Sequence, residues 1–412
     1  MKFMTSIIKR QKQLDLLIIL LLIFLIMEKK NVMFLAIFGA LLVGCSEEEI
    51  ANVETSSQNA ISFNVVSNAA ETKATPITPS NLKTGNVDFD VIAYTTKDGI
   101  AFMGNTEEEY AHNGVKIVYK NDKWDYDNLS ELRYWPTEAL DFYAVSPASL
   151  VNGAPAHHYV WNFKSGEQKI YYNCLDEYNT NTTDPNMHAN HDVMYGIAKG
   201  QTKDLNGGKV RFTFKHILSQ VVFKAKTELA TMNVIINDIK IKNVKMSGYF
   251  TLPSTDIAPT SANWNVVGVG NTKIGTYSPT VIGNAGKEVE SSINATDISS
   301  NAPLFTIPQT LTAWGVENAE TKTKANADDA GQSYLEISCK IQQSGVYLCG
   351  SADRYGTIYV PFGASWEPGK RYIYTMIFGG GYDENGDATL KPIIFDADVE
   401  DWVDDAEHEV NM

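Results

Sequence analysis

VRFTFKHILSQVVFKA, residues 210–225, holds two short runs rich in β-branched and aromatic residues, and in the first run apolar and polar residues alternate strictly. Successive side chains of a β-strand point to opposite faces, so this alternation predicts strands with one buried face. Comparable runs recur at residues 61–66, 89–94, 115–119, 140–145, 234–236, 239–241, 335–338, 357–360 and 372–377. Clusters of Asn, Gly, Asp, Pro and Ser separate these runs, a pattern typical of all-β sandwiches or barrels.

The domain organisation follows from length and composition. Residues 45–412 show no helical period that lasts three turns, which disfavours an α/β enzyme fold, and they are enough for two domains with separate cores. The polar, glycine-rich stretch 199–208 is the most natural boundary. We therefore predict domains at residues 74–208 and 209–412. Residues 317–332, rich in Ala, Thr, Lys and Asp, are predicted to form a mobile surface loop.

The N-terminal region contains two apolar runs, residues 16–26 and 32–44. Both are shorter than the roughly 20 residues that a membrane-spanning helix needs. The second run follows a basic segment and ends in small residues, as a signal peptide does. Its end, LLVGC at residues 41–45, resembles a lipobox. We therefore expect cleavage before Cys45 and acylation of the Cys45 thiol.

Met27 precedes the second apolar run and is the expected translation start. This makes residues 27–44 a lipoprotein signal peptide and residues 1–26 a misannotated extension. A helical hairpin of both runs in the membrane is the alternative. It would explain neither the charged break at Lys29-Lys30 nor the junction at Cys45.

The charge of the chain bears on its partners. The formal net charge is −15, and without residues 1–44, which hold six Lys/Arg and two Asp/Glu, it becomes −19. Nucleic acid and anionic lipid surfaces repel such a chain. Nucleic acid is therefore the least favoured partner.

Motifs of catalysis and cofactor binding are absent from the sequence. It contains no G-x-S-x-G, H-E-x-x-H or G-x-x-x-x-G-K-[ST] motif, and no Cys/His spacing that suggests a metal site. We predict neither an enzyme nor a bound cofactor or metal. His216 is interpreted as a structural histidine at the edge of the core, because no nucleophile or carboxylate lies at an informative spacing from it.

Three cysteines remain besides Cys45, namely Cys174, Cys339 and Cys349. Cys339 and Cys349 flank a predicted turn at residues 342–345. They could form a disulfide across a hairpin in an exported protein. A pair of unlinked buried thiols is an equally weighted alternative.

Several phrases of the sequence follow the lipobox in a characteristic order. They are RYWP at 133–136, LDFYAVSP at 140–147, DVMYG at 192–196, VRFTFKHILSQV at 210–221, FTIPQT at 305–310 and IIFDADVEDW at 393–402. In this order they resemble the fimbrillin family, the lipoprotein precursors of type V pili in anaerobic Gram-negative bacteria. The resemblance implies two tandem β-sandwich domains, transthyretin-like in character. It also implies a surface-exposed lipoprotein of the outer membrane that becomes part of a fimbrium after processing.

The resemblance further implies a route of assembly. The acidic residues 46–49 look like the family's surface-export signal. A trypsin-like protease is then expected to cut between Lys73 and Ala74. The cut would release residues 45–73, a lipidated propeptide that includes the first β-strand.

The first strand is predicted at residues 61–67, and its alternation places Ile61, Phe63 and Val65 in the core. Its loss would leave a groove with unpaired backbone groups, which a strand of a neighbouring pilus subunit would fill. This donor strand is expected in the C-terminal segment, at the alternating residues Ile393, Phe395, Ala397 and Val399.

The cleavage position departs from the family pattern, because the best-known members carry Arg where this chain carries Lys73. An arginine-only protease would leave the chain uncut, as a lipidated anchor. The implied function is a structural subunit of a type V pilus, as stalk, tip or anchor, that supports adhesion or biofilm formation. The alternative is a monomeric surface lipoprotein that binds glycans or host ligands through exposed aromatic residues, although such residues are more often found in cores. The candidates for that role are Trp124, Tyr134, Trp135 and Trp161.

Overall fold

The structure of the chain is a computed structural model. It describes residues 59–66, 68–69, 88–104, 114–148, 159–164, 166–173, 192–267, 274–277, 285–289, 293–299, 304–379, 382–387, 393–401 and 405–406. The chain divides into two compact units, Met1–Ala60 and Ile61–Met412, and the strands described below belong to the second. The predicted N-terminal extension and signal peptide lie outside the described residues. So do Cys45, Lys73, Ala74 and Cys174.

Strands make up most of the regular structure that is described. In chain order they are β1 (Ser62–Val66), β2 (Asn68–Ala69), β3 (Phe89–Thr95), β4 (Ala101–Met103), β5 (Val115–Lys120), β6 (Lys123–Tyr126), β7 (Leu140–Ser146), β8 (Tyr159–Lys164), β9 (Glu167–Asn173), β10 (Met194–Gln201), β11 (Lys209–Thr213), β12 (Lys215–His216), β13 (Ser219–Thr227), β14 (Met232–Lys245), β15 (Ser247–Thr251), β16 (Trp264–Val267), β17 (Ile274–Tyr277), β18 (Lys287–Val289), β19 (Thr296–Asp297), β20 (Leu304–Thr306), β21 (Thr310–Leu311), β22 (Tyr334–Gln343), β23 (Val346–Cys349), β24 (Gly356–Pro361), β25 (Ala364–Ser365), β26 (Lys370–Phe378), β27 (Ile394–Asp401) and β28 (Asp405–Ala406). The helical segments in the described ranges are the 3-10 turns Leu129–Glu131, Leu205–Gly208 and Ser261–Asn263 and the α-helix α1 (Lys324–Asp329). None of the helices in these ranges has the length and apolar character that crossing a membrane requires. The predicted all-β class is confirmed.

Four sheets, named A to D here, organise these strands. Sheet A has the order β11-β1-β6-β5-β3-β7-β10-β12, and β4 also pairs with β3. Sheet B has the order β19-β13-β26-β27, with β20 also on β13. Sheet C has the order β17-β14-β22-β23, with β18 on β14 and β24 on β22. Sheet D has the order β16-β15-β9-β8, and two short ribbons join β2 to β28 and β21 to β25.

Strands β3, β7 and β10 of sheet A are buried on both faces. In β3, the side chains of Phe89, Val91 and Ala93 belong to one apolar core, which we call the β1 core because it contains the apolar residues of β1. Ile92 and Tyr94 belong to a second core, the main core, which extends through sheets B, C and D. A strand buried on both faces needs apolar residues at consecutive positions, which accounts for the apolar run at residues 91–94, although the buried Asp90 separates it from Phe89.

Strand β14 keeps one face on the main core despite a break in its alternation. Val234 and Ile236 lie in that core, and so do Ile239 and Ile241, although the step from 236 to 239 is odd. The pairing of β14 with β22 shifts register between Ile236 and Asp238. This one-residue bulge returns the apolar side chains to the core face.

Residues 317–332, predicted to be a mobile surface loop, instead contain α1 and part of a buried apolar cluster. The side chain of Thr323 caps α1 by accepting a hydrogen bond from the backbone N–H of Asn326. Ala327 of the helix is buried in the cluster, whose members are Trp314, Val316, Ala327 and Tyr334. Because α1 is only six residues long, it is too short for a helical period to show in the sequence.

Hydrogen bonds to Asp328 connect α1 to sheet C. Its Oδ1 accepts hydrogen bonds from Asn243 Nδ2 at 2.9 Å and from Tyr334 Oη at 2.8 Å. Its Oδ2 accepts one from Lys324 Nζ at 2.9 Å. Burial opposes ionisation of the carboxyl, but the hydrogen bonds from Asn243, Lys324 and Tyr334 prevail and lower the pKa of Asp328.

The boundary at 208/209 and the tandem transthyretin-like arrangement remain predictions. Strands β11 and β12 follow that boundary in the chain and lie in sheet A, whose other strands precede it. Sheet D joins β8 and β9 to β15 and β16, which come from the other side of the boundary.

Candidate functional site: strand β1 and its groove

Strand β1 is an interior strand of sheet A, although it lies at the very start of the second unit. It pairs in parallel with β11 along its whole length, Ser62–Val66. On its other side it pairs antiparallel with β6, with Phe63 opposite Trp124. Removal of β1 would leave unpaired backbone groups on both β11 and β6.

The apolar face of β1 is buried as its alternation predicts. Ile61, Phe63 and Val65 are only 1%, 5% and 7% exposed, respectively, and all three belong to the β1 core. Between them, Ser62 is half-buried and Asn64 is exposed. The strand therefore presents one apolar face to the core and one polar face to solvent.

Phe63 fills a pocket made of aromatic rings. Its ring centroid lies 5.7 Å from Tyr126, 6.3 Å from both Phe89 and Phe212, and 6.4 Å from Phe142. The ring is nearly parallel to Phe212 and steeply inclined to Phe89 and Phe142. We call these four rings the Phe63 pocket. Without Phe63 the pocket would be an apolar cavity shaped for an aromatic side chain.

The segment that follows β1 meets the C-terminal region of the chain. β2 pairs antiparallel with β28, with Asn68 opposite Ala406 and Ala69 opposite Asp405. Lys73 follows four residues after β2. The pairing therefore places the end of the described C-terminal region beside the segment that leads from β1 towards Lys73.

Strand β27, which contains most of the predicted donor residues, forms an edge of sheet B. It pairs with β26 through its whole length, and with no other described strand. Ile393, just before it, is buried, whereas Ala397 and Val399 are exposed, Val399 by 59%. Phe395 lies in β27 opposite Met376, and its side chain is outside the described part. An edge strand of this kind can pair with another chain, and the donor role of the four residues remains a prediction.

The sequence model of the fimbrillin-like family matches residues 72–402. The chain belongs to the fimbrillin-like family. The match confirms the resemblance drawn from the ordered sequence phrases. It covers every strand from β3 to β27, and it begins after β1 and β2.

Two relatives accompany this family assignment. The fimbrium subunit Fim1C of Phocaeicola vulgatus is 25% identical over 184 residues, which cover 44% of this chain and 47% of that protein. The match therefore spans about half the length of this curated relative. The crystal structure of a fimbrial protein from Bacteroides vulgatus aligns with a TM-score of 0.53 and 17% identity, covering 84% of this chain and 99% of that one. At this level of identity the alignment shows a shared fold alone.

The fimbrillin-like chain holds Cys339 and Cys349 as neighbouring free thiols. Cys349 Sγ donates a weak hydrogen bond to the Cys339 carbonyl oxygen at 3.8 Å. A hydrogen bond between the two thiols, followed by burial, raises the pKa of Cys339. The same hydrogen bond lowers the pKa of Cys349, against the effect of burial. The disulfide between them remains a prediction.

The aromatic residues of the ligand-binding alternative are mostly packed where they are described. Trp124 is buried in the β1 core. Trp135 is half-buried, packs against Phe142 at 5.8 Å between ring centroids, and donates from Nε1 to the Gly208 carbonyl oxygen at 3.1 Å. Tyr134 is exposed. Trp161 lies in β8, and its side chain is outside the described residues.

His216 has a carboxylate partner that the sequence did not reveal. Its Nδ1 lies 2.8 Å from Asp192 Oδ2, and both side chains are buried. The two residues are 24 positions apart in the sequence, and the pairing of β10 with β12 brings their neighbourhoods together. The contact connects Asp192, just before β10, to His216 in β12. This agrees with the structural role predicted for His216.

The groups that surround β1 are backbone groups and apolar side chains. The described residues contain no group of three or more His, Cys, Asp or Glu side chains that could hold a metal ion. Around β1 the structure presents backbone groups of β11 and β6 and the apolar Phe63 pocket. In this chain these features hold strand β1 between β11 and β6.

Proposed function

We propose that this fimbrillin-like chain is a structural subunit of a type V pilus, as stalk, tip or anchor, that supports adhesion or biofilm formation. In this proposal it reaches the surface of the outer membrane as a lipoprotein through Cys45 and assembles with other pilus subunits by protease-triggered strand exchange. The observation that carries the proposal is the position of β1. It is an interior strand that buries its apolar face, and it lies just before the predicted cut at Lys73.

Cleavage after Lys73 would couple release from the membrane to activation for assembly. Cys45 and β1 lie on the same side of the cut, so the lipid and the strand leave together as residues 45–73. Before the cut, β1 is held by the covalent chain and by three buried side chains, each contributing about 1.5–3 kcal/mol. After the cut only the non-covalent contacts hold it, and a donor strand can replace it at the same backbone positions.

The extent of the family match supports the predicted cut. The matched range begins at residue 72 and ends at residue 402. The part of the chain that carries the family pattern is therefore nearly the part that a cut at Lys73 would leave.

A monomeric lipoprotein that binds glycans or host ligands is the second candidate. It requires aromatic side chains that face solvent. Trp124 and Trp135 pack inside the protein, so Tyr134 is the one of its four aromatic candidates with a described exposed side chain. The packing of Trp124 and Trp135 is the observation that weighs against this second candidate.

Surface expression with Lys73→Gln tests the proposal, with Lys83→Gln as the matched control in the same region of the sequence. We expect the original chain and the control to give ladders on unheated gels and a surface form that begins at Ala74. Lys73→Gln should give no ladder and a blocked N-terminus at Cys45. Ladders from the Lys73→Gln chain, or a surface form of the original chain that stays monomeric after trimming at Lys73, would contradict the proposal.

A further inference from the structure

On the polar face of β1, two cationic side chains flank the neutral residue Asn64. Asn64 lies opposite Arg211 of β11. Because Phe63 lies opposite Trp124 in the antiparallel pair, the next residue pair places Asn64 beside Lys123 of β6. All three side chains are exposed. The position of the neutral Asn64 is therefore flanked by a cationic side chain on each neighbouring strand.

Lys123 also forms an ion pair along its own strand, with Nζ 3.1 Å from Asp125 Oδ2. Its side chain is 64% exposed, so that pair is weak and screened by solvent. Lys123 therefore remains able to interact with an acidic group at the position of Asn64.

The C-terminal segment shares the apolar alternation of β1, and it carries an acidic residue where β1 has Asn64. In β1 the order is Ile61-Ser62-Phe63-Asn64-Val65, and in the C-terminal segment it is Ile393-Ile394-Phe395-Asp396-Ala397. Both have an apolar residue at the first, third and fifth positions, and both have Phe at the third. The fourth position is Asn in β1 and Asp in the C-terminal segment. The acidic residue thus falls at the position that Arg211 and Lys123 flank.

We propose that the C-terminal segment of a second copy enters the vacated groove in one defined register and in the same direction as β1. Phe395 takes the place of Phe63 in its pocket, and Asp396 lies between Arg211 and Lys123. This inference rests on the proposed function and adds to it the direction and the register of the expected C-terminal donor segment.

Other registers fit the groove less well. A shift by one residue turns the acidic face into the apolar core. A shift by two in one direction puts Ala397 into the Phe63 pocket and leaves a cavity there. A shift by two in the other direction puts Ile393 into the pocket and the neutral Ile394 between the two cations.

The exchange would give the donor segment new strand neighbours in place of β26, and it would take Ile393 out of the main core of its own subunit. In its own subunit β27 has one described neighbour, β26, and exposes Ala397 and Val399. In the groove it would have two neighbours, β11 and β6, and Ala397 would face the β1 core in the place of Val65. Because the chain has a net charge of −15, subunits repel one another over distance, and Arg211 and Lys123 provide a local attraction for the acidic strand.

Charge reversal on the donor tests the register. The full chain would carry a site-specific protease sequence after Lys73, so that every variant is cut at the same moment, and polymer growth would be followed on unheated gels. Asp396→Lys should slow polymer growth about tenfold, because it places like charges beside Arg211 and Lys123. Asp398→Lys is the matched control. In the proposed register Asp398 occupies the place of Val66, opposite Thr213, so growth should stay within about twofold of the original chain.

A compensating change separates register from folding. Arg211→Glu combined with Asp396→Lys should recover most of the lost rate, and thermal melting of each uncut variant checks that the precursor is folded. If Asp398→Lys slows polymer growth and Asp396→Lys does not, this register is wrong, although strand exchange itself is not contradicted. If the cut original chain forms no polymer, the proposed function fails and the register fails with it.

Discussion

Phe63→Ala tests most directly whether β1 keeps the precursor closed. The Phe63 side chain is 5% exposed and lies among four aromatic rings at centroid distances of 5.7–6.4 Å. Truncation of a buried Phe to Ala costs about 3–5 kcal/mol, through lost burial and the cavity that remains. Because the Phe63 pocket is lined by rigid rings that cannot collapse into a cavity, we expect a loss of about 4 kcal/mol.

Two measurements on the same variant check this value. Urea unfolding of the uncut chain, followed by tryptophan fluorescence, should show the loss in the free energy of unfolding. Polymer growth after cleavage should accelerate by up to about a thousandfold. A loss of about 4 kcal/mol lowers the equilibrium constant for retention of β1 in its groove by nearly three factors of ten. Asn64→Ala is the matched control. Its side chain is exposed in the same strand, so the change should stay within about 0.5 kcal/mol.

The two measurements can refute different parts of the reasoning. A loss below about 1 kcal/mol in the uncut chain would show that the Phe63 pocket contributes little to stability. A full loss of stability with unchanged polymer growth would show that departure of β1 does not limit assembly.

Two further predictions concern other parts of the chain. Asp328→Asn should lower the free energy of unfolding by about 2 kcal/mol at neutral pH, because it weakens hydrogen bonds to Lys324, Asn243 and Tyr334. The folded state lowers the pKa of Asp328, so this contribution is present above the unfolded pKa and is lost as the pH falls through the folded pKa. Unfolding midpoints of the variant and the original chain should therefore converge in acid, and a constant difference down to low pH would contradict the assignment. Cys349, half-buried and with a lowered pKa, should be alkylated by iodoacetamide before the buried Cys339. Mass spectrometry of the labelled peptides checks the order, and labelling of both thiols only after reduction would instead indicate the disulfide.

The sequence was informative wherever a strand has one buried face. Alternation in residues 61–65 was enough to place Ile61, Phe63 and Val65 in the core, and the structure confirms that placement. The ordered phrases were enough to identify the family, and the family match over residues 72–402 confirms it.

The neighbours of β1 could not be predicted, because strand pairing over long separations leaves no local pattern. β11 begins at Lys209 and pairs in parallel with β1 across more than 140 intervening residues. The cations that flank Asn64 come from two different strands, so nothing near residue 64 in the sequence indicates them. The partner of His216 escaped detection for the same reason, since Asp192 reaches it through the fold.

Short elements were the other failure of sequence-based prediction. The sequence does not predict helix α1, because the helix is too short to show a helical period. Its one buried residue, Ala327, is buried through contacts with residues outside the helix, among them Trp314 and Tyr334. Polar composition alone suggested a mobile loop there. Tertiary contacts decided the outcome.

Because β3, β7 and β10 are buried on both faces, they limit the positions at which this protein tolerates substitution. In β3, Val91 and Ile92 are adjacent in sequence but face different cores, so a substitution at either one disturbs packing that the other does not touch. Such strands have no face on which mutations accumulate freely. Exposed positions such as Ile257, Val346 and Tyr347 touch neither core, so we expect the chain to tolerate substitutions there more readily than in the shared strands.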